Sequence, residues 1–185
     1  AWRARACAVL TGIGTVLEDD PQLNVRAVPT VRQPTLVVVD SRLETPLHAK
    51  LFQHSGPSAP NPRQIWIYGA VDHPQKKAAL EAQGAQVTVL PNPQGKVDLQ
   101  ALLQDLARRE VNELHVEAGH KLNGSLIREG CVDEFLVYLA PQMLGIGQGM
   151  AQWGPLEELS QGVPLTFTET QLIGKDLRVL ARVQP

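Results

Sequence analysis

Residues 65–90 read IWIYGAVDHPQKKAALEAQGAQVTVL, and this stretch decides the fold class. Short runs rich in β-branched and aromatic residues predict strands over Ile65–Tyr68 and Val87–Leu90, and the amphipathic segment between them predicts a helix over Pro74–Gln83. Asp72 stands where the N-cap of that helix is expected. A helix of this length between two apolar strands is typical of a crossover in a parallel sheet.

The same alternation of strand and helix extends to both sides of this stretch. Further strands are predicted over Ala6–Leu10, Thr35–Val39 and Leu114–Val116. A second helix is predicted over Leu99–Arg109, with Asp98 as its N-cap. Strands that are apolar along their whole length are usually covered on both faces. The sequence therefore predicts an α/β fold with a mainly parallel central sheet and flanking helices.

The last quarter of the chain has a different pattern. Strands are predicted over Phe135–Ala140, Leu165–Leu172 and Leu177–Val183, and no full helix separates the last two. Residues 174–175 read GK and suit a tight turn, which predicts a C-terminal antiparallel hairpin. A chain of 185 residues has the length of one ordinary domain, so a single domain over residues 1–185 is expected.

Composition excludes several classes of partner. Apolar residues make up 43% of the chain, charged residues 19%, and the formal net charge is -2 without basic blocks. No nucleic-acid partner is expected, because such a surface needs clustered Lys and Arg. Cys7 and Cys131 stand in apolar runs and predict free thiols, with no metal site. No membrane span and no signal peptide are visible, so a cytoplasmic location is expected. Gln53–Arg63 is a Pro/Ser-rich segment that predicts a surface loop.

The first stretch that could carry chemistry is GIGTVLEDDPQLNVR, residues 12–26, directly after the first predicted strand. Residues 18–20 crowd three carboxylates before Pro21, whose ring is expected to hold Asp20 in an extended conformation. Like charges so close together cost free energy, which favours a functional reason, although a simple acidic turn also fits. Arg26 is placed to bind a phosphate with its fork of donors.

The second stretch is VEAGHKLNGS, residues 116–125. A strand ends at Glu117, where open α/β sheets bind ligands, and a helix is predicted over Lys121–Ile127. Residues 119–125 contain no acidic side chain, so the backbone N–H groups of this helix start predict a site for a pyrophosphate. The stretch lacks the lysine of a nucleotide-hydrolase phosphate loop and the Rossmann glycine pattern. An ordinary strand-to-helix turn fits it equally well.

The third stretch is VVVDSR, residues 37–42, at the end of another strand. Ser41 and Arg42 are placed to hold the 2′-phosphate that distinguishes NADP from NAD. Asp40 argues for NAD, because a carboxylate suits a free 2′-hydroxyl. Of the five histidines, only His120 falls in a candidate site.

Taken in order, these stretches resemble one family. The runs are TVLEDDPQLNVR (Thr15–Arg26), VVDS (Val38–Ser41), VEAG (Val116–Gly119) and VDEFLVYLAPQMLG (Val132–Gly145). They resemble the reductase domain of the bifunctional riboflavin-biosynthesis deaminase/reductase. The resemblance implies a dihydrofolate-reductase-like fold. It also implies the NADPH-dependent reduction of 5-amino-6-(5-phosphoribosylamino)uracil to its ribitylamino counterpart.

The resemblance also implies roles for individual residues. NADP contacts are expected at Thr15, Asp19, Ser41, Gly119, His120, Lys121, Leu122, Asn123, Gly124 and Ser125. Substrate contacts are expected at Arg3, Leu23, Arg26 and Glu117. The two arginines would pair with the substrate phosphate. Asp19 and Glu117 are the catalytic candidates: Asp19 would orient the nicotinamide end and the opening ribose, and Glu117 would hold a hydroxyl or a ring nitrogen. Either carboxyl group is a candidate for proton transfer.

Two features of the family pattern are not found in the sequence. The pattern includes an earlier strand with a D-G segment, which helps to form the pocket, and an amino-terminal zinc deaminase domain. The sequence starts just before Arg3, so impaired catalysis by this chain alone is expected.

Two other functions remain open at this point. One is a related reductase of another pterin or pyrimidine, although Arg3 and Arg26 favour a phosphorylated substrate. The other is a non-catalytic NADP-binding fragment. A homodimer is expected from the resemblance and from the strand edges of Phe135–Leu139 and the C-terminal hairpin.

Overall fold

A computed structural model describes residues 2–54 and 62–184 of the chain. Most of the predicted surface loop Gln53–Arg63 therefore lies outside the described residues. By its internal contacts the chain divides into two compact units, Ala1–Gly119 and His120–Pro185. The single-domain organisation stays a prediction.

The first unit is built on a five-stranded sheet. Its strands are β1 Ala8–Gly12, β2 Thr35–Val39, β3 Ile65–Gly69, β4 Ala85–Val89 and β5 Leu114–Val116. They follow the order β4-β3-β2-β1-β5, and every neighbouring pair is parallel. All five strands were predicted, with ends displaced by no more than two residues. The predicted parallel central sheet is confirmed.

The helices of the first unit connect these strands. They are α1 Trp2–Arg5, α2 Ile13–Asp19, α3 Pro74–Ala82 and α4 Leu99–Arg108, with a 3₁₀ turn over Lys50–His54. The predictions of α3 and α4 are confirmed. Asp98 caps α4 as predicted, because its side chain accepts a hydrogen bond from the N–H of Ala101 at 2.9 Å. The predicted N-cap of α3 at Asp72 is wrong. Pro74 takes the first helical position, so the N-cap is His73, which accepts a bond from Lys76 N.

The core of the first unit lies against the central strands. Every residue of β1 and β3 is buried, and so are four of the five residues of β2. Helix α4 contributes a buried stripe of Leu99, Leu102 and Leu106, which follows its helical period. The central strands are mostly apolar, with Thr11 and Thr35 as exceptions, which suits a parallel sheet whose crossover connections leave neither of its faces to water.

The second unit contains one helix and one antiparallel sheet. Its elements are α5 His120–Arg128, β6 Glu134–Leu139, β7 Leu165–Ile173 and β8 Asp176–Val183, with a 3₁₀ turn over Leu159–Gln161. The strand order is β6-β8-β7. The predicted C-terminal hairpin is confirmed, because β7 and β8 pair around a turn at Gly174, where φ is 63°. All residues of β7 are exposed.

Candidate active site

Three neighbouring strands of the parallel sheet end at the stretches that the sequence singles out. β2 pairs with β1, and β1 pairs with β5. Ser41 follows β2, Thr15 lies in the helix that follows β1, and Glu117 follows β5. Parallel strands bring their carboxyl ends to one edge of a sheet, which is where open α/β folds bind ligands. The fold of the first unit therefore brings the three stretches to one edge.

Glu117 forms a bidentate ion pair with Arg3. Arg3 donates from Nε to Oε1 at 2.5 Å and from Nη2 to Oε2 at 2.6 Å, and Nε2 of His115 lies 3.3 Å from Oε1. Burial alone would raise the pKa of Glu117. The hydrogen bonds from Arg3 and His115, together with the charge of Arg3, outweigh burial and lower that pKa to about 2. Glu117 is thus an anion at neutral pH, and it accepts hydrogen bonds without a proton to give.

Asn24 joins the two arginines that the resemblance assigns to the substrate phosphate. Its carbonyl oxygen accepts a bond from Nη1 of Arg3 at 3.0 Å, and its side-chain Oδ1 accepts one from Nη1 of Arg26 at 3.2 Å. The next residue, Val25, pairs through its N–H and C=O with the side-chain amide of Gln33 at 2.7 and 3.0 Å. Both guanidinium groups therefore converge on one fixed segment, as a phosphate site requires.

Arg63 holds the same segment from the inside. It is 5% exposed, and its guanidinium donates to the carbonyl oxygens of Leu23 at 3.1 Å, Gln22 at 2.5 Å and Leu51 at 2.9 Å. Its Nε has no partner among the described residues. Burial and the positive charge of Arg3 lower the pKa of Arg63 to about 10, so it is still a cation at neutral pH. The buried guanidinium of Arg63 thus stabilises the segment before Arg26 through hydrogen bonds to its carbonyl oxygens.

Leu23 occupies the same segment but turns its side chain inward. The side chain is 4% exposed and packs in the hydrophobic core, and the backbone adopts a positive φ of 50°. A substrate contact at Leu23 would therefore have to come from its backbone.

The acidic residues at the end of α2 differ from the expected turn. Asp20 has a φ of 43° in the left-handed region, so the predicted extended conformation before Pro21 is wrong. Asp tolerates this region, and the Asp20 carboxylate accepts a bond from Lys50 N at 2.8 Å and lies 3.3 Å from Lys50 Nζ. Asp19 is exposed in the last turn of α2. Within the described residues its carboxylate forms no hydrogen bond or ion pair, and no contact joins it to Glu117.

Two of the predicted cofactor residues face each other in the first unit. A Cβ added at Gly119 would lie 3.8 Å from Oγ1 of Thr15. The turn after β5 and the first turn of α2 therefore approach closely, and glycine keeps the backbone accessible between them.

The polar side chains of the turn after β2 form hydrogen bonds within the protein. The Oγ of Ser41 accepts a bond from Val97 N at 3.3 Å. Asp40 is fully buried, and its Oδ2 accepts bonds from the N–H and hydroxyl of Thr45 at 2.8 and 2.7 Å. Asp40 therefore gives no support to NAD over NADP, because its carboxylate points into the turn and is closed to a ribose hydroxyl.

Arg42 follows Ser41 along the chain, and one further cation reaches the backbone of Arg42. Lys76 on α3 donates from Nζ to the carbonyl oxygen of Arg42 at 3.2 Å, and both side chains belong to residues at the surface. Lys76 was not singled out from the sequence, because it stands on a helix distant in sequence from Arg42. The pair supplies positive charge next to the predicted 2′-phosphate position.

In the second unit, the start of α5 packs against a later segment of the same unit. Gln152 N donates to the carbonyl oxygen of His120 at 2.7 Å, and Nδ2 of Asn123 donates to Met150 O at 2.9 Å. A Cβ added at Gly124 would overlap the carbonyl oxygen of Gln152. Gly124 is therefore required by close packing, a reason that the sequence did not reveal.

The remaining predicted cofactor residues of α5 differ in what they offer a ligand. Ser125 donates its hydroxyl to Lys121 O at 3.2 Å, which turns it back along its own helix. Lys121 is exposed and Leu122 is half-buried. The first turn of α5 carries no acidic side chain, so its N–H groups and Lys121 are the features that suit an anion.

Within residues 2–54 and 62–184, no group of three or more His, Cys, Asp or Glu side chains could hold a metal ion. Within the part of the chain that the structure describes, neither Cys7 nor Cys131 forms a disulfide. None of the helices in the described ranges combines the length and apolar character that a membrane crossing needs.

Residues 1–179 match the family described as the RibD C-terminal domain. The chain belongs to this family. It is 35% identical over 177 residues to the riboflavin biosynthesis protein RibD of Actinobacillus pleuropneumoniae, a match that covers 95% of this chain and 46% of that protein. The chain spans about half the length of the RibD relatives that it matches.

Two further relatives bear on this RibD C-terminal domain. The 2,5-diamino-6-ribosylamino-4(3H)-pyrimidinone 5′-phosphate reductase of Methanothermobacter thermautotrophicus is 31% identical over 180 residues, which cover 95% of this chain and 79% of that protein. The solved structure of Acinetobacter baumannii RibD is 29% identical and matches with a TM-score of 0.83, over all of this chain and 48% of that one. The expected dihydrofolate-reductase-like α/β fold is confirmed.

Three contacts in this RibD C-terminal domain were missed from the sequence. His115 was placed outside every candidate site, yet it lies 3.3 Å from Glu117. Their spacing of two residues along a strand puts both side chains on one face, and this signal was available. Asn24 lies within the Thr15–Arg26 run that carries the family resemblance, but no role was predicted for it. Arg63 precedes β3 with no local pattern that points to the segment it holds, 40 residues earlier.

Proposed function

We propose that the chain is an NADPH-dependent reductase of riboflavin biosynthesis. It would convert 5-amino-6-(5-phosphoribosylamino)uracil into 5-amino-6-(5-phosphoribitylamino)uracil. The observation that carries the proposal is the cluster in which Glu117 pairs with Arg3 while Asn24 joins Arg3 to Arg26. This cluster offers a carboxylate acceptor next to two guanidinium groups, and it lies beside the edge of the sheet where a ligand would bind. The relatives' names support a ribosylaminopyrimidine 5′-phosphate as the substrate class.

The cofactor assignment rests on the turns after β1, β2 and β5. The close approach of Thr15 and Gly119 suits the nicotinamide end, and Ser41 with Arg42 and Lys76 suits the 2′-phosphate. The burial of Asp40 removes the one carboxylate that favoured NAD. The start of α5, residues 120–125 of the second unit, has no acidic side chain in its first turn, and its proposed role as an anion contact rests on the family resemblance.

The chemistry proposed for the site is reduction at C1 of the ribose. The ribosylamine first opens to an imine, and the imine carbon then accepts a hydride while its nitrogen gains a proton. Bound NADPH would supply that hydride. Because the pKa of Glu117 is about 2, its proposed role is to hold a substrate hydroxyl or ring N–H as an acceptor. The proposed role of Asp19, orientation of the nicotinamide end and the ribose, rests on the family resemblance.

Cofactor binding is the first test of this function. Fluorescence titration is expected to show micromolar NADPH binding and much weaker NADH binding. Arg42→Ala and Lys76→Ala should each weaken NADPH binding by about fivefold to tenfold and leave NADH binding nearly unchanged, because only NADPH carries the 2′-phosphate. Lys77→Ala is the matched control, since Lys77 pairs with Glu81 on the same helix. Equal binding of the two cofactors would contradict the assignment.

The name of one relative suggests a second candidate substrate. The reductase of Methanothermobacter thermautotrophicus is named for a 2,5-diamino-6-ribosylamino-4(3H)-pyrimidinone 5′-phosphate, which differs from the uracil at the ring. Steady-state assays with both compounds, followed by product analysis, decide between them. Turnover of the diamino compound alone would reassign the substrate and keep the reductase. Cofactor binding with no turnover of either compound would favour the non-catalytic fragment.

The chain is also proposed to form a homodimer through the antiparallel sheet of the second unit. Large apolar side chains stand exposed there, with Phe167 at 72% and Leu172 at 70% exposure. A second copy with the same apolar face would cover them. Sedimentation that finds only monomer at micromolar concentration would contradict the dimer. The cytoplasmic location stays a prediction.

A further inference from the structure

Arg63 is a buried cation without a counter-ion in the described chain. It is 5% exposed, and its partners are three backbone carbonyl oxygens, at Gln22, Leu23 and Leu51. None of the described Asp and Glu side chains forms an ion pair with it, and the undescribed residues 55–61, SGPSAPN, contain no acidic residue. Arginine is rarely buried this far unless it is paired, because removing its charge from water costs free energy.

The charges around Arg63 do not cancel. Arg3 is close enough for its charge to lower the pKa of Arg63, and Arg26 meets Arg3 at Asn24. Glu117 balances one of these three positive charges. The excess of about two positive charges matches a phosphate monoester, which carries about two negative charges at neutral pH.

Arg63 also fixes the backbone that carries this charge. Two of its three carbonyl contacts are consecutive, at Gln22 and Leu23, directly before Asn24. Leu23 holds a positive φ of 50°, which a non-glycine residue keeps only where its surroundings impose it. The contacts of Arg63 supply part of that restraint.

We propose that Arg63 is a positioning residue for the substrate phosphate: it holds the 22–26 segment in place, and its unbalanced buried charge makes the site selective for a 5′-phosphorylated ligand. The identity of that ligand rests on the proposed function. Arg63 itself does not touch the substrate, because its side chain lies beneath the segment.

The test compares ligands with and without the phosphate. Calorimetric Kd values are measured for 5-amino-6-(5-phosphoribosylamino)uracil and for the same compound after phosphatase treatment, and turnover with NADPH is followed separately. In Arg63→Met the Kd of the phosphorylated compound should rise about tenfold, and the Kd of the dephosphorylated one should change less than about twofold. Arg32→Met is the matched control, because Arg32 is exposed and donates to one carbonyl oxygen, that of Ala6. It should bind both compounds as the original chain does.

Arg63→Lys extends the test and also serves if Arg63→Met does not fold. Burial beside Arg3 lowers the pKa of a lysine, so the phosphate preference of this variant should fall as the pH rises above about 7, while that of the original chain stays constant. The charged and titratable groups around the site are Arg3, Arg26, Glu117 and His115, together with the Asp20–Lys50 pair at the turn that Arg63 contacts. The NADPH Kd should remain within about twofold throughout.

The outcomes separate the two proposals. Three results would overturn the role of Arg63. They are an unchanged phosphate preference in Arg63→Met, an equal loss of binding affinity for both compounds in that variant, and a phosphate preference in Arg63→Lys that does not change with pH. Phosphate-selective binding without any turnover by the original chain favours the non-catalytic fragment over the proposed reductase and leaves the role of Arg63 supported.

Discussion

The two sheets of the chain differ in how far they bury their apolar side chains. Every residue of β3 is buried, whereas every residue of β7 is exposed, although β7 carries Phe167 and Leu172. The crossover connections of a parallel sheet supply cover for both of its faces, but an antiparallel hairpin brings no such cover with it. The comparison shows that the sheet of the first unit is buried within the chain, whereas the sheet of the second unit leaves large apolar side chains exposed.

Core truncation should give the largest difference between the two sheets. Ile67 in β3 is 0% exposed and Phe167 in β7 is 72% exposed. Ile67→Ala is expected to lower the free energy of unfolding by about 2–5 kcal/mol, because it removes packed methyl groups and leaves a cavity. Phe167→Ala should change it by less than about 0.5 kcal/mol in dilute protein. Urea denaturation measures both.

Protein concentration then sharpens this comparison. If a second copy covers β7, the cost of Phe167→Ala should grow as the protein concentration rises, since association adds to apparent stability. A cost equal to that of Ile67→Ala at every concentration would mean that the face is buried within the chain, and the contrast between the sheets would fail.

Substitutions at two glycines in helices should show a smaller difference in stability between a closely packed position and an open one. Gly124→Ala in α5 should destabilise the fold by about 1–3 kcal/mol, because the new methyl group would overlap Gln152 O and its segment would have to shift. Gly14 in α2 is the matched control, since a Cβ there meets nothing within 4 Å. Gly14→Ala should be neutral or raise stability by up to about 1 kcal/mol. Thermal unfolding that shows equal effects would refute the close approach in the second unit.

The pH dependence of Glu117 is expected to be of similar or smaller size. The folded-state pKa of about 2 lies below the ordinary value of 4.5, so the contribution is fully present above 4.5 and is lost as the pH falls from there towards 2. The free energy of unfolding should decline over that range by about 1–3 kcal/mol more than in Glu117→Gln.

Glu113→Gln is the control for this measurement. Glu113 pairs with Arg5 at the surface, where such a pair contributes about 0–1 kcal/mol. Parallel pH profiles for the original chain and Glu117→Gln would show that the ion pair with Arg3 does not stabilise the fold.

Local patterns were sufficient for most elements of the fold, whereas the short helices α1 and α2 were not predicted. The five parallel strands, α3, α4, α5 and the C-terminal hairpin follow from hydrophobic period, caps and turn residues, all of which act within a few positions of the chain. The N-cap of α3 was missed by one position, because the effect of Pro74 on the helix start was not weighed against the capping tendency of Asp72.

Sequence patterns alone were enough to predict the α/β class, the family resemblance and the polar residues at the strand ends. Only the tertiary structure showed that Arg3 pairs with Glu117 across 114 positions, that Asp40 faces inward, and that Arg63 lies beneath the 22–26 segment. This difference follows from how far apart along the chain the interacting residues lie. Strand and helix signals arise between neighbours along the chain, whereas ion pairs and buried charges depend on which distant segments the fold brings within a few ångströms.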